Sequence, residues 1–218
     1  MSPAEASGPL AVLAVAKELS RKGLVEGTSG NVSARLADGT VCVTPSSLPY
    51  EAMTLEDLVV LTADGELVGG HRSASSEKDL HLACYRAFPE VGGVIHSHPV
   101  YASMFACARQ PIPPCIEESI MYVGGEVPVC DYVMTGTAGL GEEAVRHLAA
   151  TSAALLANHG MVTIGRDPAD ALHAAVVVER TAQIAFGARA LGGLHPLPMK
   201  TTEDFAGVYR YLRTRPLD

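Results

Sequence analysis

The stretch Val91-Gly92-Gly93-Val94-Ile95-His96-Ser97-His98-Pro99 decides how this chain is read. It is a short apolar run with glycines before it and a proline after it, the pattern of a buried strand. Residues two apart on a strand project from one face, so His96 and His98 can reach a single ion together from a rigid backbone. Imidazoles at this spacing suit zinc, and also manganese, cobalt or iron. A lone H-x-H is more often the mark of ordinary hydrogen-bonded histidines near a sheet edge, and His159 shifts that balance. It lies in SAALLANHGMVTIG (152–165), two apolar strands meeting at Asn158-His159-Gly160, a tight turn where side chains can converge on a cleft. Glu77 adds a carboxylate at the start of a helix, where it also suits the helix dipole. His81 stands four residues further along the same helical face, where a partner behind the ligands or a further ligand could sit, but it reads first as a structural histidine. His71, His147, His173 and His195 have no partner in their local sequence.

Outward from that strand, the chain alternates between the two periodicities. Residues 9–23 carry a helical pattern that stops at Gly23. GTSGNVSAR (27–35) is a turn running into an alternating strand, and DGTVCVTPSS (38–47) is a hairpin turn, a short strand and a loop opened by Pro45. LEDLVVLTADGELVGG (55–70) gives a strand and a second Asp-Gly hairpin. SEKDLHLACYRAF (76–88) is a helix capped by Ser75 or Ser76 and ended by Pro89. A helical stretch runs from Tyr101 to about Arg109, a strand covers EVPVCDYV (126–133), and a helix covers EEAVRHLAA (142–150). The longest helix spans 168–192, with Pro168 in its first turn. The sum is one α/β domain, and the hairpins of the first half predict an antiparallel or mixed sheet.

The bulk composition excludes several functions. Of 218 residues, 48% are hydrophobic and 18% charged, which suits a globular chain with a sizeable core. A net charge of -8 argues against nucleic acid or an anionic membrane as a partner. Glu5 precedes the first apolar run and no basic region accompanies it, so the N-terminus reads as an amphipathic helix and not a signal peptide. No apolar stretch is long enough to span a bilayer. Five cysteines with no C-x-x-C pair, Cys84 and Cys107 among them in apolar context, read as buried free thiols of a cytoplasmic protein.

Three small polar segments remain: Gly27-Thr28-Ser29-Gly30-Asn31, Thr44-Pro45-Ser46-Ser47 and Ser75-Ser76. Singly each is a turn or a cap. Together they offer hydroxyls, an amide and turn N–H groups that can hold a phosphate without lysine or arginine. Neither nucleotide-binding glycine fingerprint is present.

GTSGNVSAR, VTPSSLPYE, SSEKDLH, VIHSHP and LLANHGMV, in this order, resemble the class II aldolase/adducin head-domain family, in particular its L-fuculose-phosphate aldolase branch. Glu77 precedes His96 by 19 residues and His98 precedes His159 by 61, separations similar to the family's. The resemblance implies a single domain over 1–218, with a central, mostly antiparallel sheet flanked by helices in three layers. It implies a homotetramer with active sites between subunits, and one zinc ion per subunit (manganese or cobalt being the alternatives) on His96, His98 and His159. Glu77 would ligate the metal at rest and swing away to act as the base. Gly30, Asn31, Ser46, Ser47, Ser75 and Ser76 match the positions that bind the substrate phosphate. The activity implied is reversible cleavage of a ketose 1-phosphate, through a metal-stabilised enediolate, to dihydroxyacetone phosphate and a small aldehyde. The chain departs from the aldolase prototype in IPPCIEESIMYVGG (112–125), where Glu118 or Tyr122 stands nearest the expected Tyr that acts from a neighbouring subunit. The tail, about 200–218, would close over the site with Tyr209 or, in better register, Tyr211. A Glu at 118 also resembles the methylthioribulose-phosphate dehydratases of the superfamily, and a sugar-acid phosphate decarboxylase is a further alternative. Pentulose-phosphate 4-epimerases usually carry Asp where Glu77 stands, and adducin-like scaffolds do not maintain the three histidines.

Overall fold

Alternation along the strands sorts the interior into two large cores, one on each face of the sheet, beside a small cluster of Val43, Val59 and Leu61. The computed structural model describes residues 8–214; residues 1–7 and 215–218, the ends of the expected domain and tail, lie outside it. Its elements are α1 (Gly8–Arg21), β1 (Asn31–Arg35), β2 (Val41–Val43), β3 (Val59–Leu61), β4 (Leu67–Gly69), α2 (Lys78–Ala87), β5 (Gly93–Ser97), α3 (Val100–Ala108), α4 (Glu117–Val123), β6 (Val129–Cys130), α5 (Ala138–Leu148), β7 (Ala153–Leu156), β8 (Gly160–Gly165), α6 (Pro168–Ala190) and α7 (Met199–Thr214). Ile95, Val32, Leu155 and Met161 pack with α1, α3 and α6 on one face of the sheet. Their neighbours Val94, Leu156, Val162 and Ile164 pack with α2 and α5 on the other. Side chains two apart share a face, so His96 points with Val94 toward α2. Asn31 and Ser33, out of step with Val32, point the same way.

The described strands form one mixed sheet of order β4-β3-β2-β1-β5-β8-β7-β6. Every pairing is antiparallel except β6 with β7, as the hairpins predicted. β5 lies at the centre between β1 and β8. Gly93 is required there, because a Cβ would sit 2.2 Å from the Asp167 carbonyl carbon. Asp167 also caps α6, its side chain accepting the Asp170 N–H at 2.7 Å.

Four local expectations are corrected. The expected cap of α2, Ser75 or Ser76, gives way to Glu77 at the N-cap position; Ser75 Oγ instead accepts the Glu77 N–H at 3.2 Å. The strand expected over 126–133 shrinks to Val129–Cys130, because Val127 pairs with Ile112 in an isolated bridge. Two helices, α4 and α7, form where none was read. Cys107 is exposed on the outer side of α3, while Cys42, Cys84 and Cys130 are buried, and all five thiols are free.

Candidate metal centre and substrate pocket

The centre is assembled where β5 ends. The antiparallel register sets Asn31 beside His96 and His96 beside Val162. His98, just past the strand, is pinned by its N–H to the Leu24 carbonyl at 3.0 Å. His159 follows Asn158, which takes a left-handed backbone (φ 57) to turn β7 into β8. The next residue must be glycine: a Cβ at Gly160 would lie 2.4 Å from the Ser97 carbonyl oxygen and 2.6 Å from the His98 ring. A side chain there would push the His159 turn away from the other two histidines.

The donor nitrogens of His96, His98 and His159 all lie within 4.8 Å of one another, and the three rings are 4.5 to 4.8 Å apart. His96 is completely buried, and its Nδ1–H is directed at the Met161 carbonyl at 2.9 Å. That bond leaves the lone pair on Nε2, which faces Nε2 of His98 at 2.8 Å. A backbone carbonyl behind a ligating imidazole is the usual support of a metal histidine. Burial holds both His96 and His98 below the ordinary histidine pKa, so they are neutral at neutral pH, the form that binds a metal. The donor set fits a divalent cation that accepts nitrogen ligands, zinc foremost.

Glu77 closes the group. Its Oε2 is 3.2 Å from His96 Nε2 and its Oε1 is 3.4 Å from His159 Nε2. Each oxygen also has a neutral donor: Thr135 Oγ1–H at 2.6 Å on Oε1 and Asn31 Nδ2–H at 3.0 Å on Oε2. Burial pushes the Glu77 carboxyl up, but the facing histidines and these two hydrogen bonds outweigh it and bring it below the ordinary range. With His96 neutral, the hydrogen bonds are the durable part of that effect.

Thr135 was not read from the sequence. Nothing in Met134-Thr135-Gly136-Thr137 marks it, and only the tertiary fold brings it to a carboxylate 58 residues away. His81, which the sequence reads first as structural, is fully buried and meets Asn31 Oδ1 through Nε2.

The expected phosphate residues share one neighbourhood beside Glu77. Thr44 ties them together: its backbone and hydroxyl bond both the N–H and the C=O of Val32, and its carbonyl accepts the Ser75 N–H. Ser46 N–H bonds Ser73, drawing 44–47 alongside 73–76. Ser46, Ser47 and Ser76 are exposed, and Gly30 is half-buried. Gly30 touches the centre directly, since a Cβ would fall 2.7 Å from the His96 carbonyl oxygen. The Ser75 hydroxyl and one Asn31 N–H are already engaged with Glu77.

Glu118, Tyr122 and Tyr211 are not brought to this centre within one chain. Tyr122 lies against His173 of α6, the two rings tilted by 45° with centroids 4.5 Å apart, and with Tyr209, Arg213 and Gly165 it lines a cleft. Gly165 ends β8 and His159 precedes its start, so that cleft lies about 20 Å from the histidines along the strand. Glu118 is half-buried in the first turn of α4. α7 packs against α4 at the same far end, with Tyr211 64% exposed and the buried Tyr209 hydroxyl bonded to Ser152 and Arg213. The described part of the tail, up to Thr214, therefore lies at the end of its own chain opposite the metal centre. A second cluster, Cys130, Glu143 and His147, has its carboxylate already engaged by the Asp131 N–H, Arg146 and His147, which orders the β6–α5 corner.

A three-layer α/β fold with three converging imidazoles and a tethered carboxylate at the end of its central strand defines a protein of the metal-dependent aldolase type. The chain belongs to the Class II Aldolase and Adducin N-terminal domain family, whose model matches residues 11–186. It is 33% identical over 196 residues to a 5-deoxy-D-ribulose 1-phosphate aldolase of Bacillus thuringiensis, covering 89% of this chain and 92% of the relative. It is 36% identical over 196 residues to an L-ribulose-5-phosphate 4-epimerase of Salmonella paratyphi A, covering 83% and 85%. A solved L-fuculose 1-phosphate aldolase superposes with a TM-score of 0.89 at 30% identity, covering 94% of this chain and 98% of that one. No described helix is long and apolar enough to cross a membrane.

Proposed function

We propose that this lyase is a zinc-dependent aldolase of the cytoplasm, a homotetramer that reversibly cleaves a ketose 1-phosphate to dihydroxyacetone phosphate and a small aldehyde. The observation that carries the reading is Glu77, a carboxylate held on both oxygens by neutral donors at the face of three convergent histidines. His96, His98 and His159 would hold a divalent cation, which would supply Lewis acidity toward the substrate's carbonyl. Ser46, Ser47 and Ser76 with the backbone at Gly30 bind the phosphate, so that binding at the unreactive end orients the reacting carbons. Glu77 returns a proton to the carbon that the aldehyde leaves, and removes it in the condensation direction. Glu118 or Tyr122 of a neighbouring subunit serves the hydroxyl oxygen across the bond that breaks.

Incubating the zinc-loaded protein with dihydroxyacetone phosphate and a panel of small aldehydes yields ketose 1-phosphates on this reading. Glu77→Gln lowers kcat about a hundredfold or more while zinc stays bound. The second reading, a pentulose-phosphate 4-epimerase, is supported by the 36% identity to a protein of that name. Interconversion of pentulose 5-phosphates with no aldol product would replace the first reading by the second.

A further inference from the structure

Behind Glu77, two periodicities interlock. Glu77, His81 and Tyr85 are four apart along α2 and its N-cap, so they share a helix face. Asn31 and Ser33 are two apart on β1 and share the sheet face turned toward them. The two rows form a continuous chain of hydrogen bonds. The Tyr85 hydroxyl is 2.8 Å from Ser33 Oγ, and Ser33 Oγ is 2.6 Å from His81 Nδ1. His81 Nε2 meets Asn31 Oδ1, and Asn31 Nδ2 reaches Glu77 Oε2 at 3.0 Å. All five residues are buried, and none is more than 9% exposed.

The direction of every bond follows from its last member. A carboxylate only accepts, so Asn31 turns its NH2 toward Glu77 and its carbonyl toward His81. His81 must then carry its hydrogen on Nε2. Burial keeps the ring neutral, so Nδ1 accepts and the Ser33 hydroxyl donates to it. With its one hydrogen used, Ser33 can only accept from Tyr85. The chain runs one way, from Tyr85 to Glu77.

We propose that His81, Ser33 and Tyr85 are positioning residues for Glu77, fixing the Asn31 amide from behind in the orientation that presents N–H and not C=O to the carboxylate. This rests on the role given to Glu77 above. Without the His81 N–H the amide loses the bond that fixes its carbonyl end, and its N–H is held on the carboxylate from one side only. An interior that needed only to be filled would take apolar side chains, as Leu80 and Leu82 do on the same helix, since buried polar groups cost stability unless paired. Asn31 accordingly has its carbonyl on His81 and one N–H on Glu77, and only its second N–H is left for a substrate phosphate.

The test compares wild type with His81→Phe, which keeps a planar ring, somewhat larger, and loses both bonds, and His81→Gln, which keeps a donor and an acceptor. His81→Phe lowers kcat about tenfold to a hundredfold with KM little changed, and His81→Gln restores most of the loss. Two readouts do not depend on turnover. The 15N spectrum of the zinc-loaded wild type shows His81 as the Nε2–H tautomer, and His81→Phe alters the cobalt(II) absorption spectrum of the substituted centre while His81→Gln leaves it near wild type. If His81→Phe does not fold, Tyr85→Phe, which deletes one oxygen, takes its place and gives a smaller fall in kcat with the same sign. An Nδ1–H tautomer overturns the proposal, as do a folded variant with unchanged kcat and cobalt spectrum. A wild type that cleaves no ketose phosphate sinks the aldolase reading instead, and the tautomer and cobalt spectra still decide this one.

Discussion

His81 carries a consequence for stability as well as for Glu77. Burial lowers its pKa from 6.5 to about 4. The unfolded chain therefore takes up a proton at a pH where the folded chain does not. The stability held by the neutral ring is complete above about pH 6.5 and is lost as pH falls toward 4. The full shift corresponds to about 3 kcal/mol, of which about 2 kcal/mol falls between pH 7 and pH 5. In urea unfolding of metal-free protein at those two pH values, His81→Gln should lose less stability on acidification than wild type. Its remaining loss comes from His96 and His98, which burial shifts in the same direction. A variant with the wild-type slope would show that His81 is not held neutral. The interlocked rows were open to reading in advance, because 77, 81, 85 and 31, 33 are fixed by helix and strand periods. What the sequence could not supply was the pairing of β1 with α2 across the sheet face, a tertiary fact.

At the level of elements, α3 shows how a histidine position is secured from outside its own segment. Its N-cap is Pro99, which has no side-chain acceptor for the first N–H groups. Glu179 of α6 supplies both oxygens, Oε1 to the Tyr101 N–H at 2.9 Å and Oε2 to the Ala102 N–H at 2.8 Å. A carboxylate there also complements the helix dipole. α3 begins two residues after His98, so this cap ties the end of β5 to the longest helix. Glu179→Ala should cost about 1–2 kcal/mol in chemical denaturation and weaken zinc binding by about tenfold in a chelator competition. Loss of stability with unchanged zinc affinity would confine Glu179 to the fold. Elements with strong periods were legible: β5, β8 and α6 lie within a few residues of their predicted ends. α4 was hidden between Pro113-Pro114 and Gly124-Gly125, which read as loop, although Glu117 and Glu118 in its first turn suit a helix start. α7 buries only Tyr209 of its sixteen residues, too thin a stripe for a periodicity argument.

For the whole molecule, the two ends of the sheet are the central fact. The histidines, Glu77 and the serine segments gather at one end, and α4 with α7 packs at the other. Glu118 and Tyr122 can serve the chemistry only if a second subunit presents its α4 to the first subunit's metal centre. That arrangement makes a prediction no single-chain site would satisfy. Glu77→Gln and Glu118→Gln should each be inactive as pure assemblies. When the two are unfolded together and refolded, an active site forms wherever a subunit with an intact Glu77 lies beside one with an intact Glu118. Random assembly makes about a quarter of the sites whole, so the mixture should recover about that fraction of wild-type kcat. If Glu118→Gln is active and Tyr122→Phe is not, the same mixing with Tyr122→Phe identifies the tyrosine as the residue given across the interface. If mixtures of inactive parents never recover, the groups act within one chain, and α4 would have to leave its packing on α6 and α7 to reach the metal.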